Sequence, residues 1–327
     1  MFVLPSRNSS HRSDHRSDVV CVGETMAVLS PADDSALERQ SRLSFGVGGA
    51  ESNVACGLVA LGHRAAWVSR VGDDPLGRRI VDDLAGRGVD VSAVEIDPDR
   101  STGVYFKDPA ADGTRTYYYR RDSAATRMGP ELARLPLLAS ARLLHLSGIT
   151  AALSDSCAEL LTALLVRRTV PGPLVSFDVN HRPALWRHRP ADAAPTALLE
   201  LARAADIVLV GRDEAEALWN TGKPEEIRDL LRPAGVIVVK DAGHGATSYA
   251  KDGTETFVPT PVSRVVERVG AGDAFAAGYL AALLEDRDAT AGLRLGHRMA
   301  ALALGTREDV PMAPDLGELA RLFPPDV

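Results

Sequence analysis

Cysteine is scarce in this chain, with only Cys21, Cys56 and Cys157 in 327 residues, far apart and without a Cys-x-x-Cys pair. That leaves no thiolate cage for a metal and no disulfide framework, and it predicts buried free thiols in a reducing cytoplasm. No apolar run reaches the ~18–20 uncharged residues of a membrane span, so a membrane partner is not expected. Basic residues are scattered and the formal net charge is −7, which argues against a nucleic-acid partner. Several catalytic signatures are missing too. There is no G-x-x-x-x-G-K-[ST] phosphate loop and no His-Glu-x-x-His. A dinucleotide fingerprint from Gly270 fails because Phe275 stands where its last glycine is needed. The first residues, "MFVLPSRNSSHRSDHRSD", lack an apolar core and read as a disordered extension over 1–18 or a mis-set start rather than a signal peptide.

What is present is a chain that is 45% apolar and 25% charged, the balance of a soluble globular protein. Short apolar runs alternate with helical patterns. Strands are expected over 19–29, 65–71, 141–149, 173–179, 206–211 and 235–241. The last three are nearly continuous in Val, Ile and Leu, as in strands covered on both faces. Helices are expected over 50–61, 75–86, 154–168, 192–204, 212–219 and 273–285. The alternation predicts one α/β domain over 19–327 with a mostly parallel sheet. Residues 102–124 break the rhythm: "GVYF" and "TRTYYYR" flank Asp112-Gly113 and read as a hairpin. It is either a flap over something polar or an ordinary edge hairpin with aromatic cross-strand pairs.

Two motifs carry chemistry. In "VGAGDAFAAGYL", Gly270, Ala271 and Gly272 precede a helix with apolar residues at three-to-four spacing. The free amides and dipole at its start suit an anion, and no bulky side chain bars the approach. Asp273, in the first turn, is expected to be ionised and to serve as a base, a combination that suits phosphoryl transfer. The competing reading is a capped core helix after a glycine turn. In "FGVGGAESN", Gly48 and Gly49 run into a helix carrying Asn53, whose amide can both donate to and accept from sugar hydroxyls. That Asn could equally face solvent.

Together with "VGDDPLG", and in this order, these motifs resemble the ribokinase-like (PfkB-type) carbohydrate kinases over residues 19–323. "TGVYF", "YYYRRDSA", "LLHLSGIT", "DVNHRPALW" and "DEAE" are similar to stretches of the 2-keto-3-deoxygluconate (KDG) kinase branch. The resemblance implies a three-layer α/β/α domain with a β lid over about 31–49 and 101–122. It implies ATP and Mg2+ as cofactors, with a monovalent cation beside them, and a homo-oligomer. It places the sugar against Gly48, Gly49, Asn53, Tyr105, Tyr118, Tyr119, Arg120 and Asp309, with Asp273 as the base and Gly270, Ala271 and Gly272 as the anion hole. ATP would meet Asn180, Arg182, Lys240, Gly243, Gly245, Gly270, Gly272 and His297, and Glu214 would reach magnesium through water. The chain departs from the family pattern at Glu267, Arg268, Gly211, Ala242 and His297, all on the nucleotide side. The implied activity is phosphorylation of a primary hydroxyl of KDG. A fructokinase or other family sugar kinase is the alternative within the class, and a non-catalytic sugar or nucleotide sensor the alternative outside it.

Overall fold

Gly23, Glu24 and Thr25 divide the apolar run 19–29 into two strands that join different sheets. A computed structural model describes residues 17–33, 35–110, 113–232, 234–262 and 265–306. In chain order the strands are β1 Val19–Val22, β2 Met26–Pro31, β3 Leu43–Gly48, β4 Ala65–Val68, β5 Arg70–Gly72, β6 Glu95–Asp97, β7 Val104–Ala110 and β8 Gly113–Tyr119. They continue with β9 Leu143–Ser147, β10 Leu174–Asp178, β11 Ile207–Gly211, β12 Val236–Asp241, β13 Gly245–Ala250 and β14 Glu255–Pro259.

The main sheet runs β14-β13-β12-β11-β10-β9-β1-β4. It is parallel from β4 to β12, and only β13 and β14 are antiparallel. Neighbouring residues on each central strand point into different cores, as the pleat requires. Val20, Leu144, Val175, Val208 and Ile237 bury on one face, with Leu160 and Leu198 from covering helices. Val19, Cys21, Leu143, Ile207 and Val238 bury on the other, with Leu58, Ile80 and Leu280. Two buried faces explain the continuous apolar strands, and the result is the three-layer α/β/α sandwich that was expected. The three cysteines are buried and free, and burial pushes the Cys56 thiol up to about 12.

A second sheet, β3-β2-β7-β8, stands apart. The expected hairpin is its β7–β8 pair, with Tyr105 opposite Tyr118 and Val104 opposite Tyr119. Asp112 of the turn lies outside the described residues, as does Asp309. The run 65–71 is also divided at Ser69: β5 leaves the main sheet and pairs with β6.

Strand order reverses beside β1, which pairs with β4 on one side and β9 on the other. In open α/β sheets such a reversal leaves a crevice at the carboxyl ends of the strands. Two helices flank it, Ala50–Ala60 and Ala271–Leu284. They touch where a Cβ on Gly57 would lie 2.6 Å from that of Ala277. Glycine at 57 lets the backbones approach, and one turn back along each helix stand Asn53 and Asp273.

Candidate active site

The close packing of those helices joins the two motifs. Asn53 Nδ2 donates to Asp273 Oδ2 at 2.8 Å across 220 residues of sequence. Asn53 is buried, so the alternative of a solvent-facing Asn is excluded. Gly270 caps the Ala271–Leu284 helix with φ 84°, a left-handed conformation that favours glycine. Asp273 therefore sits in the first turn, as read from the sequence.

Its charge state differs from that expectation. Asp273 borders the cavity, yet protein surrounds its carboxyl group, and this burial raises its pKa to about 7. The hydrogen bond from Asn53, Arg182 and Lys240 favour the anion, while Asp178 opposes it. Burial moves its titration up towards neutrality, against the ionised form that a helix start favours.

Around Asp273 opens a cavity of about 1270 Å³. A single small-ligand pocket is usually ~300–1,000 Å³, so this one has room for two substrates side by side. At one end it is bordered by Gly48, Gly49, Asn53, Tyr105, Tyr118, Tyr119 and Arg120. Towards the carboxyl ends of β10, β11 and β12 it is bordered by Asp178, Asn180, Arg182, Gly211, Glu214 and Lys240, with Gly270, Gly272 and Asp273 between the two groups.

The hairpin is a flap over this cavity, because Thr114, Thr116 and Tyr118 face into it. Tyr118 shares the inner face with the buried Tyr105, their ring centroids 5.4 Å apart. Tyr119 borders the cavity, but its ring lies on the outer face, edge-on to Phe106 at 5.5 Å. Arg120 is buried and already committed. Its Nε donates to Glu24 Oε2 at 2.6 Å, its Nη2 pairs with the same oxygen, and Ser123 Oγ donates to Glu24 Oε1. Glu24 lies where the chain passes from the main sheet into the lid, and Arg120 and Ser123 lie where it returns. The trio therefore pins the hinge.

At the carboxyl ends of the strands, Lys240 Nζ donates to Asp178 Oδ2 at 2.8 Å. Burial works against the ammonium, but Asp178 and Glu214 hold its pKa above the usual lysine range. Glu214 braces two strand ends, with Oε2 accepting from Gly211 N at 2.8 Å and Oε1 from His181 N at 3.0 Å. Asn180, buried, adopts φ 40° and its Oδ1 has no partner, a strained residue of the kind found at ligand sites. Ala242 is also left-handed, at φ 32°, a conformation that favours glycine.

Other expected contacts are not assembled at the cavity. His297 is buried, its Nε2 3.1 Å from the Val258 carbonyl and its ring edge-on to Phe275. Gly245 packs against the Phe257 ring, and neither Gly243 nor Ala271 borders the cavity. Glu24 and Asp178, both buried and both bordering the cavity, are charged residues that sequence reasoning did not single out. A signal for each was available: a charge beside or within an apolar run, as in "SFDV".

Fold and site leave room for two substrates around one carboxylate, and comparison gives the class. Residues 16–316 match the pfkB family carbohydrate kinase model. The chain belongs to this family and is a carbohydrate kinase. It is 36% identical over 310 residues to the 2-dehydro-3-deoxygluconokinase of Bacillus subtilis (strain 168), covering 93% of this chain and 94% of the relative. It is 33% identical over 299 residues to the 2-dehydro-3-deoxygalactonokinase of Haloferax volcanii, covering 88% and 90%. Among solved structures, a PfkB protein from Polaromonas sp. JS666 matches with TM-score 0.83 at 33% identity, covering 92% and 99%. A putative Ribokinase II from E. coli, in complex with ATP and Mg2+, shares the fold at TM-score 0.83 and 21% identity, covering 94% and 99%.

Proposed function

We propose that this kinase transfers the γ-phosphoryl of ATP to the primary hydroxyl of 2-keto-3-deoxygluconate, giving the 6-phosphate. The observation that carries the reading is the Asn53–Asp273 pair at the mouth of the Gly270–Gly272 turn. Asn53 engages one oxygen of the carboxylate and fixes its orientation. The other can take the proton as the sugar oxygen attacks the γ-phosphorus and ADP departs. Amides at the helix start face the charge on the moving phosphoryl.

Support for an acid sugar comes from charge. A carboxylate stripped of water needs a cationic partner, and Arg120 borders the sugar end of the cavity, its guanidinium held in place by Glu24. The 34–36% identical relatives named for 2-dehydro-3-deoxygluconate point the same way. For Mg2+, the donor set suits a hydrated ion. Glu214 spends its oxygens on two amides and Asp178 faces Lys240, so both would act through water, as magnesium usually allows. When bound, the ion would neutralise phosphate charge. A monovalent cation and assembly into a homo-oligomer belong to the same reading, as does a cytoplasmic site of action.

The test is ADP release over a panel of KDG, its galactose epimer, fructose, ribose and gluconate. The highest kcat/KM is expected on KDG. A preference for fructose would overturn the acid-sugar assignment, and binding without turnover on every sugar would favour a sensor.

A further inference from the structure

Glu267 connects two parts of the molecule that the reaction must bring together. Its Oε1 accepts from Arg268 N at 2.7 Å and from Val269 N at 3.2 Å. These are the two amides that lead into Gly270 and the helix start. Its Oε2 accepts from Thr114 Oγ1 at 2.8 Å and lies 3.9 Å from Lys107 Nζ. Thr114 and Lys107 belong to the lid hairpin, 153 and 160 residues away in sequence. The Lys107 and Glu267 side chains are only 5% and 10% exposed, so water screens the contact little. Val266 N and Glu267 N both donate to the Leu304 carbonyl, which anchors the segment from behind.

We propose that Glu267 is a positioning residue that latches the lid onto the anion-binding turn, so that the turn is fully ordered only when the lid is down. One carboxylate oxygen holds the turn and the other is held by the lid. Opening the lid therefore removes Thr114 and Lys107 from the group that fixes the Arg268 and Val269 amides. Glutamate suits both tasks because its longer stem reaches the lid while its first oxygen still meets the local amides. An aspartate would keep the amides and fall short of Thr114. The consequence is coupling: phosphoryl transfer is favoured when the lid has excluded water, the competing acceptor. This inference rests on the reading of Gly270–Asp273 as the catalytic centre.

The experiment compares Thr114→Val, Glu267→Asp and the Thr114→Val/Glu267→Asp double variant of the full chain, with Asp273→Asn as control. Sugar phosphate and ADP are measured separately, with kcat, KM and Tm. Thr114→Val keeps the shape of a half-exposed lid residue, so its fold is not at risk. Losing one hydrogen bond to a charged group predicts about tenfold lower kcat in Thr114→Val and Glu267→Asp, with KM for ATP nearly unchanged. More than one ADP should appear per sugar phosphate, a leak that a purely structural role would not produce. The double variant should be no slower than Glu267→Asp, because both single changes remove the same contact. Unchanged kcat and stoichiometry in Thr114→Val, or losses that multiply in the double variant, would overturn the latch. Full turnover in Asp273→Asn would overturn the catalytic reading beneath it, a separable result.

Discussion

The floor of the site and its lid are built on opposite principles. The floor stands on parallel strand ends and on two helices in contact, and its polar groups are paired within packed structure: Asn53 with Asp273, Asp178 with Lys240, Glu214 with two amides. The lid is a four-stranded sheet with exposed aromatics, Tyr117 and Tyr119 among them. It is tied down at the hinge by Glu24–Arg120 and at the tip by Glu267–Thr114. Catalytic groups need fixed geometry, which a dense core supplies. Substrate admission needs motion, which a sheet held by a few polar contacts permits.

The comparison can be broken hardest at Asp273. Asp273→Asn keeps the size and loses the base, so kcat should fall ~10²–10⁴-fold. The same variant should melt at a higher temperature at neutral pH, because it no longer buries an ionisable acid. Calorimetry beside kinetics checks both, and an unchanged kcat would remove the assigned role.

Two glycines separate catalysis from stability within the floor. A Cβ on Gly272 meets nothing closer than Lys240 Nζ at 3.8 Å. Gly272→Val should therefore harm turnover by up to ~10²-fold, through the anion site, and shift Tm little. Gly57→Val meets Ala277 and should cost about 1–3 kcal/mol of stability by overpacking.

At the hinge, Arg120→Ala strands the fully buried Glu24 without its partner, a loss of ~3–5 kcal/mol. If the guanidinium also meets the sugar carboxylate, KM for KDG should rise about ten- to a hundredfold while fructose kinetics change much less. Equal losses on both sugars would leave Arg120 a hinge residue alone.

A pH profile sharpens the charge assignment. The base form of Asp273 exists above about 7, so kcat/KM should fall about tenfold per pH unit below that value. The stability sign runs opposite to that of an ordinary salt-bridged acid. The folded value lies above the unfolded one of about 3.9, so the native state binds the extra proton. Stability attributable to Asp273 is then lost as pH rises from about 4 to about 7. The Tm advantage of Asp273→Asn should accordingly grow across that window. The smallest effect is expected at the turn after β12, where Ala242→Gly relieves a left-handed alanine and should add about 1 kcal/mol in a denaturant titration.

Local physics was legible in the chain itself. Apolar runs marked the covered strands, glycines marked the helix start at Gly270, and the tyrosine-rich interruption marked the hairpin. Boundaries failed where a short turn sends one apolar run to two sheets, as at Gly23–Thr25, because periodicity carries no information about which partner a strand will find. The motifs placed Asn53 and Asp273 in the site, but their contact depends on Gly57 meeting Ala277.

What the sequence determined by itself is the set of groups whose local structure follows from their neighbours in the chain: a capped helix, a glycine turn at its start, a sheet covered on both faces. Tertiary structure alone decided that Asp273 titrates near neutrality, that Arg120 is held by Glu24, and that Glu267 joins the lid to the turn. These outcomes rest on burial and on contacts between residues 96 to 220 positions apart, and such distances exist only once the sheet order has closed the chain upon itself.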